Sequence, residues 1–330
     1  MEPFSLEASS FIGLVLLGLA VGFLAGLFGV GGGFVLTPAL HVAFGIPYEL
    51  AVGSALVQLT ATGAVGAVRH LQLGHADARL GAALVLGSFP GAEAGVQLQR
   101  LLRSLPELRR EDWSAPSFDA LMDLAYIALL LAIGGWMWAE TGRLLREGRR
   151  SRALLGAAGA GRRGGEMPGA AAPARGEEPN RTAVAERLTR LQWRPVFALS
   201  LEPERRFSLW IPLGLGFGMG VLTGILGTGG GFFLMPALVY LLGLPTLAAV
   251  GTSSLATAAT ALYGSARYLA AGEVLPGVVA ATLAGSLAGT WAGAHSAHRW
   301  SKLRLRRTFA GVVFAAAALL ALDLARLVVG

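Results

Sequence analysis

The sequence has no cysteine and a single lysine, Lys302, and only 14% of its 330 residues are charged. An average soluble domain carries roughly 25%. The missing cysteines exclude a disulfide scaffold and any thiolate-bound metal. Catalytic signatures are missing too. There is no H-E-x-x-H, and the nearest text to G-x-S-x-G is Gly251-Thr252-Ser253-Ser254-Leu255, which lacks the closing glycine. His295 and His298 lie in a basic loop far from it in sequence. The glycine runs match neither G-x-G-x-x-G nor a Gly-Lys-Ser/Thr loop. No enzyme, cofactor or metal is therefore expected. What is abundant is apolar: 54% hydrophobic residues and 47 glycines. That excludes a disordered chain and favours an all-α polytopic membrane protein.

The net charge of +7 has one location. Between Thr141 and Arg206 stand 14 arginines and 7 carboxylates, and the remainder is balanced at 13 of each. A nucleic-acid role would need a folded basic face, which this Gly/Ala/Pro-rich composition opposes. Apolar stretches occupy 11–27, 34–44, 51–68, 80–99, 120–140, 208–226, 232–243, 247–266, 276–294 and 308–329. Most approach the roughly 20 residues that cross a bilayer, but 34–44 and 232–243 reach only about half of it. The N-terminus carries Glu2 and Glu7 without a basic residue, so Phe11 onward is read as mature structure rather than a signal peptide. Residues 156–180 read as disordered. Residues 181–193 form either a short helix on an anionic membrane surface or a solvated linker.

An internal repeat organises the chain. Shifted by 198 residues, Gly26–Gly74 lies on Gly224–Gly272 without a gap, with 21 identities in 49 positions. GLFGVGGGFVLTPAL matches GILGTGGGFFLMPAL, AVGS matches AVGT, and Arg69 matches Arg267. The same shift carries Gly87, Gly91 and Gly95 onto Gly285, Gly289 and Gly293. The expected organisation is a first transmembrane repeat over 1–140, a basic, partly disordered cytoplasmic linker over 141–207, and a second repeat over 208–330. The arginine bias places the linker and the 295–307 loop in the cytoplasm. The halves are then inverted, with both termini outside. The four arginines of the 100–119 loop run against this orientation.

In each half an apolar helix runs into glycines, Gly29-Val30-Gly31-Gly32-Gly33 and Gly227-Thr228-Gly229-Gly230-Gly231, and a short apolar stretch follows. Three glycines in a row cost a helix roughly 1 kcal/mol each relative to alanine. A glycine-broken or re-entrant helix follows, whose freed backbone groups must find partners in protein or water. The short helices beginning there can receive an anion at their N-termini. Close helix packing is the competing explanation, but packing uses glycine at every fourth residue, as at 87/91/95.

Small polar residues come next: Ser54, Gln58 and Thr62 in the first half, Thr252, Ser253, Ser254 and Thr257 in the second. They suit the oxygens of an anion or, equally, hydrogen bonds between helices. Arg69 and Arg267 either snorkel to headgroups or offer a fork to sulfonate, sulfite or carboxylate. Glu93 reads as the one carboxylate well inside an apolar helix, a proton carrier or an arginine partner, unless it reaches water near a helix end. His41, on the first short helix, is a second proton-coupling candidate.

The paired GLFGVGGGF and GILGTGGGFFLMPAL motifs, each followed by AVGS or AVGTSS, resemble the TauE/SafE family of sulfite and organosulfonate exporters. The resemblance covers about residues 10–100 and 208–330. It implies a polytopic permease of a prokaryotic cytoplasmic (inner) membrane for sulfite, sulfoacetate or other organosulfonates, coupled to an ion gradient. The long arginine-rich linker departs from the usual pattern. A passive anion channel and a carrier of another anion, such as a carboxylate, are the alternatives. The expected partners are a small organic or inorganic anion and membrane lipid, with no nucleic acid, and a homodimer is left open. The expected anion site comprises Gly31, Gly32, Gly33, Ser54, Gln58, Thr62, Arg69, Gly229, Gly230, Gly231, Thr252, Ser253, Ser254, Thr257 and Arg267.

Overall fold

The structure, a computed structural model, describes residues 8–28, 31–104, 109–110, 113–114, 118–160, 194–201, 206–297 and 302–329. Among them are five helices before the linker: α1 (Ala8–Phe28), α2 (Gly33–Phe44), α3 (Tyr48–Gln72), α4 (Ala78–Ser104) and α5 (Phe118–Ala160). Five follow it: α6 (Trp210–Leu226), α7 (Gly231–Tyr240), α8 (Thr246–Ala270), α9 (Pro276–Ala297) and α10 (Lys302–Val329). Each apolar stretch of the sequence overlaps one helix, although 232–243 runs past the end of α7 and 208–226 begins before α6. Four segments are long and apolar enough to cross a membrane by length and composition: Ser9–Phe28, Tyr48–Gln72, Phe118–Ala139 and Arg307–Ala325. The chain is an all-α polytopic membrane protein. Its only sheet among the described residues is two short antiparallel hairpins, β1 (Arg109–Arg110) with β2 (Trp113–Ser114), and β3 (Val196–Ala198) with β4 (Arg206–Ser208).

The linker differs in one respect from the sequence reading. Helix α5 does not stop at 140 but continues to Ala160, taking in the start of the Gly/Ala-rich stretch. Alanine, leucine and arginine are good helix formers, and no proline interrupts 118–160. The rest of that stretch, and residues 181–193 with their two readings as surface helix or solvated linker, lie outside the described residues.

The repeat is visible in the backbone. Gly31 and Gly229 both turn left-handed, at φ 70° and 69°. Pro47 and Pro245 precede α3 and α8 with ψ 144° each. The long helices pair chiefly across the halves. On α1 and α9, a side chain at Gly18 or Gly22 would run into the backbone of Thr282 or Ser286, and one at Gly289 into that of Leu19. The repeat-equivalent pair, α4 and α6, closes in the same way through Gly87, Gly91, Gly216 and Gly220. Glycine at every fourth residue thus brings each pair into backbone contact. In both pairs the helices run parallel. The central pair, α3 and α8, runs antiparallel: Leu56 meets Gly264, Gly63 meets Ala258, and Gly66 meets Ser254. Helix α5 packs on α10, where Gly134 meets Val313 and Phe314.

Candidate functional site

The two glycine turns meet near the middle of the central pair. A Cβ on Gly31 would stand 3.0 Å from Leu59 Cδ2 and 3.7 Å from Thr257 Cγ2. One on Gly229 would stand 3.0 Å from Leu59 Cδ1 and 3.1 Å from Thr257 Cγ2. Leu59 and Thr257 are themselves repeat equivalents, and Leu59 lies halfway along the 25-residue α3. A Cβ on Gly33 would come within 2.9 Å of the carbonyl oxygens of Gly227 and Thr228, so the turns touch backbone to backbone. Beside them Phe34 and its equivalent Phe232 stack at 5.2 Å. Gly32 and Gly230 are the residues immediately before α2 and α7, and neither helix start has a side-chain cap. The first amides of both helices therefore lack the side-chain oxygen that ordinarily receives them.

The structure separates the predicted hydroxyls into two groups. Ser54 and Thr252 serve as reciprocal clasps between halves. Ser54 Oγ accepts the Leu275 amide at 3.0 Å, and Thr252 Oγ1 accepts the equivalent Asp77 amide at 2.9 Å. Thr62, Ser253 and Ser254 donate to carbonyls of their own helices. Thr260 donates to Ser88 Oγ at 2.6 Å. By contrast, Thr257 Oγ1 and Gln58 Oε1 are buried without a hydrogen-bond partner. Thr257 is the one whose side chain also reaches both glycine turns.

The arginines differ from each other. Arg267 Nη2 pairs with Glu93 at 2.9 Å, and the Tyr263 hydroxyl donates to the other oxygen of Glu93 at 2.7 Å. Glu93 is thus an arginine partner in this structure. Arg267 is engaged through Nη2, while its Nε is buried without a hydrogen-bond partner. Arg69 is exposed near the end of α3. The residues equivalent to Glu93 and Tyr263 are Trp291 and Val65, so Arg69 has no matching acid at the equivalent position.

Several residues that matter here were not singled out from the sequence. Asp77 is wholly buried. Its Oδ1 accepts the Leu80 amide, capping α4, and its Oδ2 accepts the amides of Ser200 and Leu201 at 2.6 and 3.0 Å, holding the segment after β3 against the helices. An aspartate directly before an apolar helix is a legible cap signal. Glu93 is also not the sole carboxylate within an apolar helix. Asp123 on α5 is fully buried and receives the Tyr48 hydroxyl. Asp323 on α10 comes near it, with His41 between helices: the three offer atoms within 4.8 Å of one another.

The family model described as sulfite exporter TauE/SafE matches residues 14–320. A Bacillus subtilis (strain 168) protein described as "Probable membrane transporter protein YjnA" is 26% identical over 283 residues, 83% of this chain and 89% of that protein. A second from the same organism, "Probable membrane transporter protein YunE", is 31% identical over 103 residues, 31% of this chain and 37% of that protein. No solved structure matches the chain. With nearly its whole length matched, including both glycine turns and all four pairs of partner helices, the chain belongs to the TauE/SafE sulfite exporter family of membrane transporters.

Proposed function

We propose that the protein is a secondary transporter of small sulfur-containing anions, sulfite, sulfoacetate or other organosulfonates, across the cytoplasmic membrane. The anion is held between the two glycine turns. One observation carries this reading: two uncapped helix starts meet at the centre of the bundle beside the unpartnered hydroxyl of Thr257. Each helix start presents free amides and about half a positive charge. A hydroxyl adds a donor without a buried cation, and the Gln58 amide adds another if it turns its NH2 group inward. The sulfur-containing substrate class is supported by the family's description. Arg69 and Arg267 are left to stabilise the helix ends rather than the anion.

Alternating access is the mechanism this architecture favours. The repeat-equivalent helices α3 and α8 run antiparallel, which supports inverted halves that rock about a site between them. The arginine bias supports a cytoplasmic linker and outward termini.

The test has two parts. Purified protein is heated in the presence of sulfite, organosulfonates, sulfate and carboxylates, and a sulfur anion should raise the melting temperature most. Proteoliposomes loaded with an ion gradient should then accumulate that anion above its equilibrium level. Stabilisation by carboxylates alone would reassign the substrate. Flux that only relaxes the anion gradient would make the protein a channel.

A further inference from the structure

We propose that His41, Asp123 and Asp323 form a binding site for one divalent metal ion, of the class that takes imidazole and carboxylate together, such as Zn2+, Mn2+ or Co2+. The three residues come from α2, α5 and α10, and their ligand atoms all lie within 4.8 Å of one another. Three atoms so spaced can all stand within about 2.8 Å of a common centre, and small side-chain adjustments bring them to the roughly 2.0–2.2 Å of zinc bonds.

The surroundings are those of a ligand set. His41 Nδ1 lies 2.9 Å from the Ile46 carbonyl oxygen. A carbonyl only accepts, so the ring proton sits on Nδ1 and Nε2 keeps its lone pair. Metal-binding histidines are oriented in this manner, through the nitrogen that does not ligate. The ring is also stacked on Tyr48 at 4.0 Å. Tyr48 in turn donates its hydroxyl to Asp123 Oδ1, which fixes the carboxylate. The other oxygen, Asp123 Oδ2, is buried and has no hydrogen-bond partner. A buried carboxylate oxygen left unsatisfied is costly, and a bound cation or a proton relieves it. Two carboxylates with a neutral imidazole carry two negative charges, which a divalent ion balances and a monovalent ion does not.

The site would fasten the far end of α2, the helix whose first residues form the first glycine turn, to the α5–α10 pair. It does not depend on the transport reading, because the metal is measured with no anion present. Full-length protein in detergent, stripped with chelator, is titrated with Zn2+ by calorimetry and with Co2+ by visible absorption. The expected result is one ion per chain, a raised melting temperature, and cobalt bands of a nitrogen–oxygen site. Asp123→Asn and Asp323→Asn should each weaken binding by more than about tenfold, whereas Glu93→Gln should bind like the parent. If Asp123→Asn does not fold, Asp323→Asn, on the less buried side, decides alone. The proposal is overturned if the parent binds none of Zn2+, Mn2+ and Co2+ stoichiometrically. It is equally overturned if the folded asparagine variants bind within twofold of the parent, or if only Na+ or protons occupy the carboxylates.

Discussion

The two halves of the molecule are alike in what their backbones do and unlike in what their side chains carry. Gly31 and Gly229 both turn left-handed, although the next residues differ, Gly32 at φ −88° and Gly230 at φ 62°, and Ser54 and Thr252 clasp the same position of the opposite half. The same stripes of glycine pull α1 onto α9 and α4 onto α6. Chemistry, however, appears once. Thr257 faces Leu59 across the centre, Gln58 has Ala256 as its equivalent, and Arg267 has Glu93 where Arg69 has only Trp291. A duplicated scaffold needs its packing residues in both copies, because each helix pair is built from one helix of each half. A binding site between the copies needs its polar groups only once. Pairwise substitutions at equivalent positions can therefore tell scaffold from site.

The largest effect is expected where the halves are most alike. Gly91→Leu and Gly289→Leu each push a side chain into the backbone of the partner helix, at Phe217 and Leu19. Overpacking of this kind costs about 1–3 kcal/mol or more, and here no flexible side chain can give way. Both variants should lose monodisperse folded protein to a similar degree in size-exclusion chromatography. A large difference between them would break the equivalence.

Next come the clasps. Ser54→Ala and Thr252→Val each leave a helix-start amide without its acceptor, at a cost of roughly 0.5–2 kcal/mol. Their melting temperatures should fall by similar amounts. If only Thr252→Val is damaging, its link to Asp77, which also holds Ser200 and Leu201, matters more than the amide itself.

The smallest effect sharpens the contrast. The Arg267–Glu93 pair is about one-third exposed on both sides, so solvent screens it. A double-mutant cycle with Arg267→Ala and Glu93→Gln should return no more than about 1 kcal/mol of coupling. Arg69→Ala should change stability by less than about 0.5 kcal/mol, since Arg69 is exposed. Equal losses at the two arginines would mean that Arg69 has a role that its exposed position conceals.

Much of the scaffold was legible because its determinants are local or periodic. Apolar stretches placed the ten described helices, and the 198-residue shift matched their order in the two halves. Glycine at every fourth residue separated close packing at 87/91/95 from the turns at 31–33. The site was legible only as a neighbourhood. Nothing in the spacing of Ser54, Gln58, Thr252 and Thr257 tells which hydroxyl is consumed by a helix start of the other half, because the partners lie more than a hundred residues away. The antiparallel meeting of α3 and α8 decides it. Asp123 and Asp323 escaped notice for a related reason. One aspartate in an apolar helix is a lone exception, and it becomes a cluster only when α2, α5 and α10 are brought together. The extension of α5 to Ala160 was hidden by composition, since alanine with glycine suits a linker as well as a helix.

The account rests most heavily on Thr257 as the hydroxyl between the two turns, and sulfite titration of Thr257→Val tests it most directly. Valine keeps the shape and removes only the hydroxyl. Losing a hydrogen bond to a charged ligand costs about 1.5–3 kcal/mol, a tenfold to hundredfold weakening. Sulfite affinity should fall by that factor while the melting temperature without ligand stays near the parent's. Sulfite binding equal to the parent's, in folded protein, would contradict the account and place the anion away from the glycine turns.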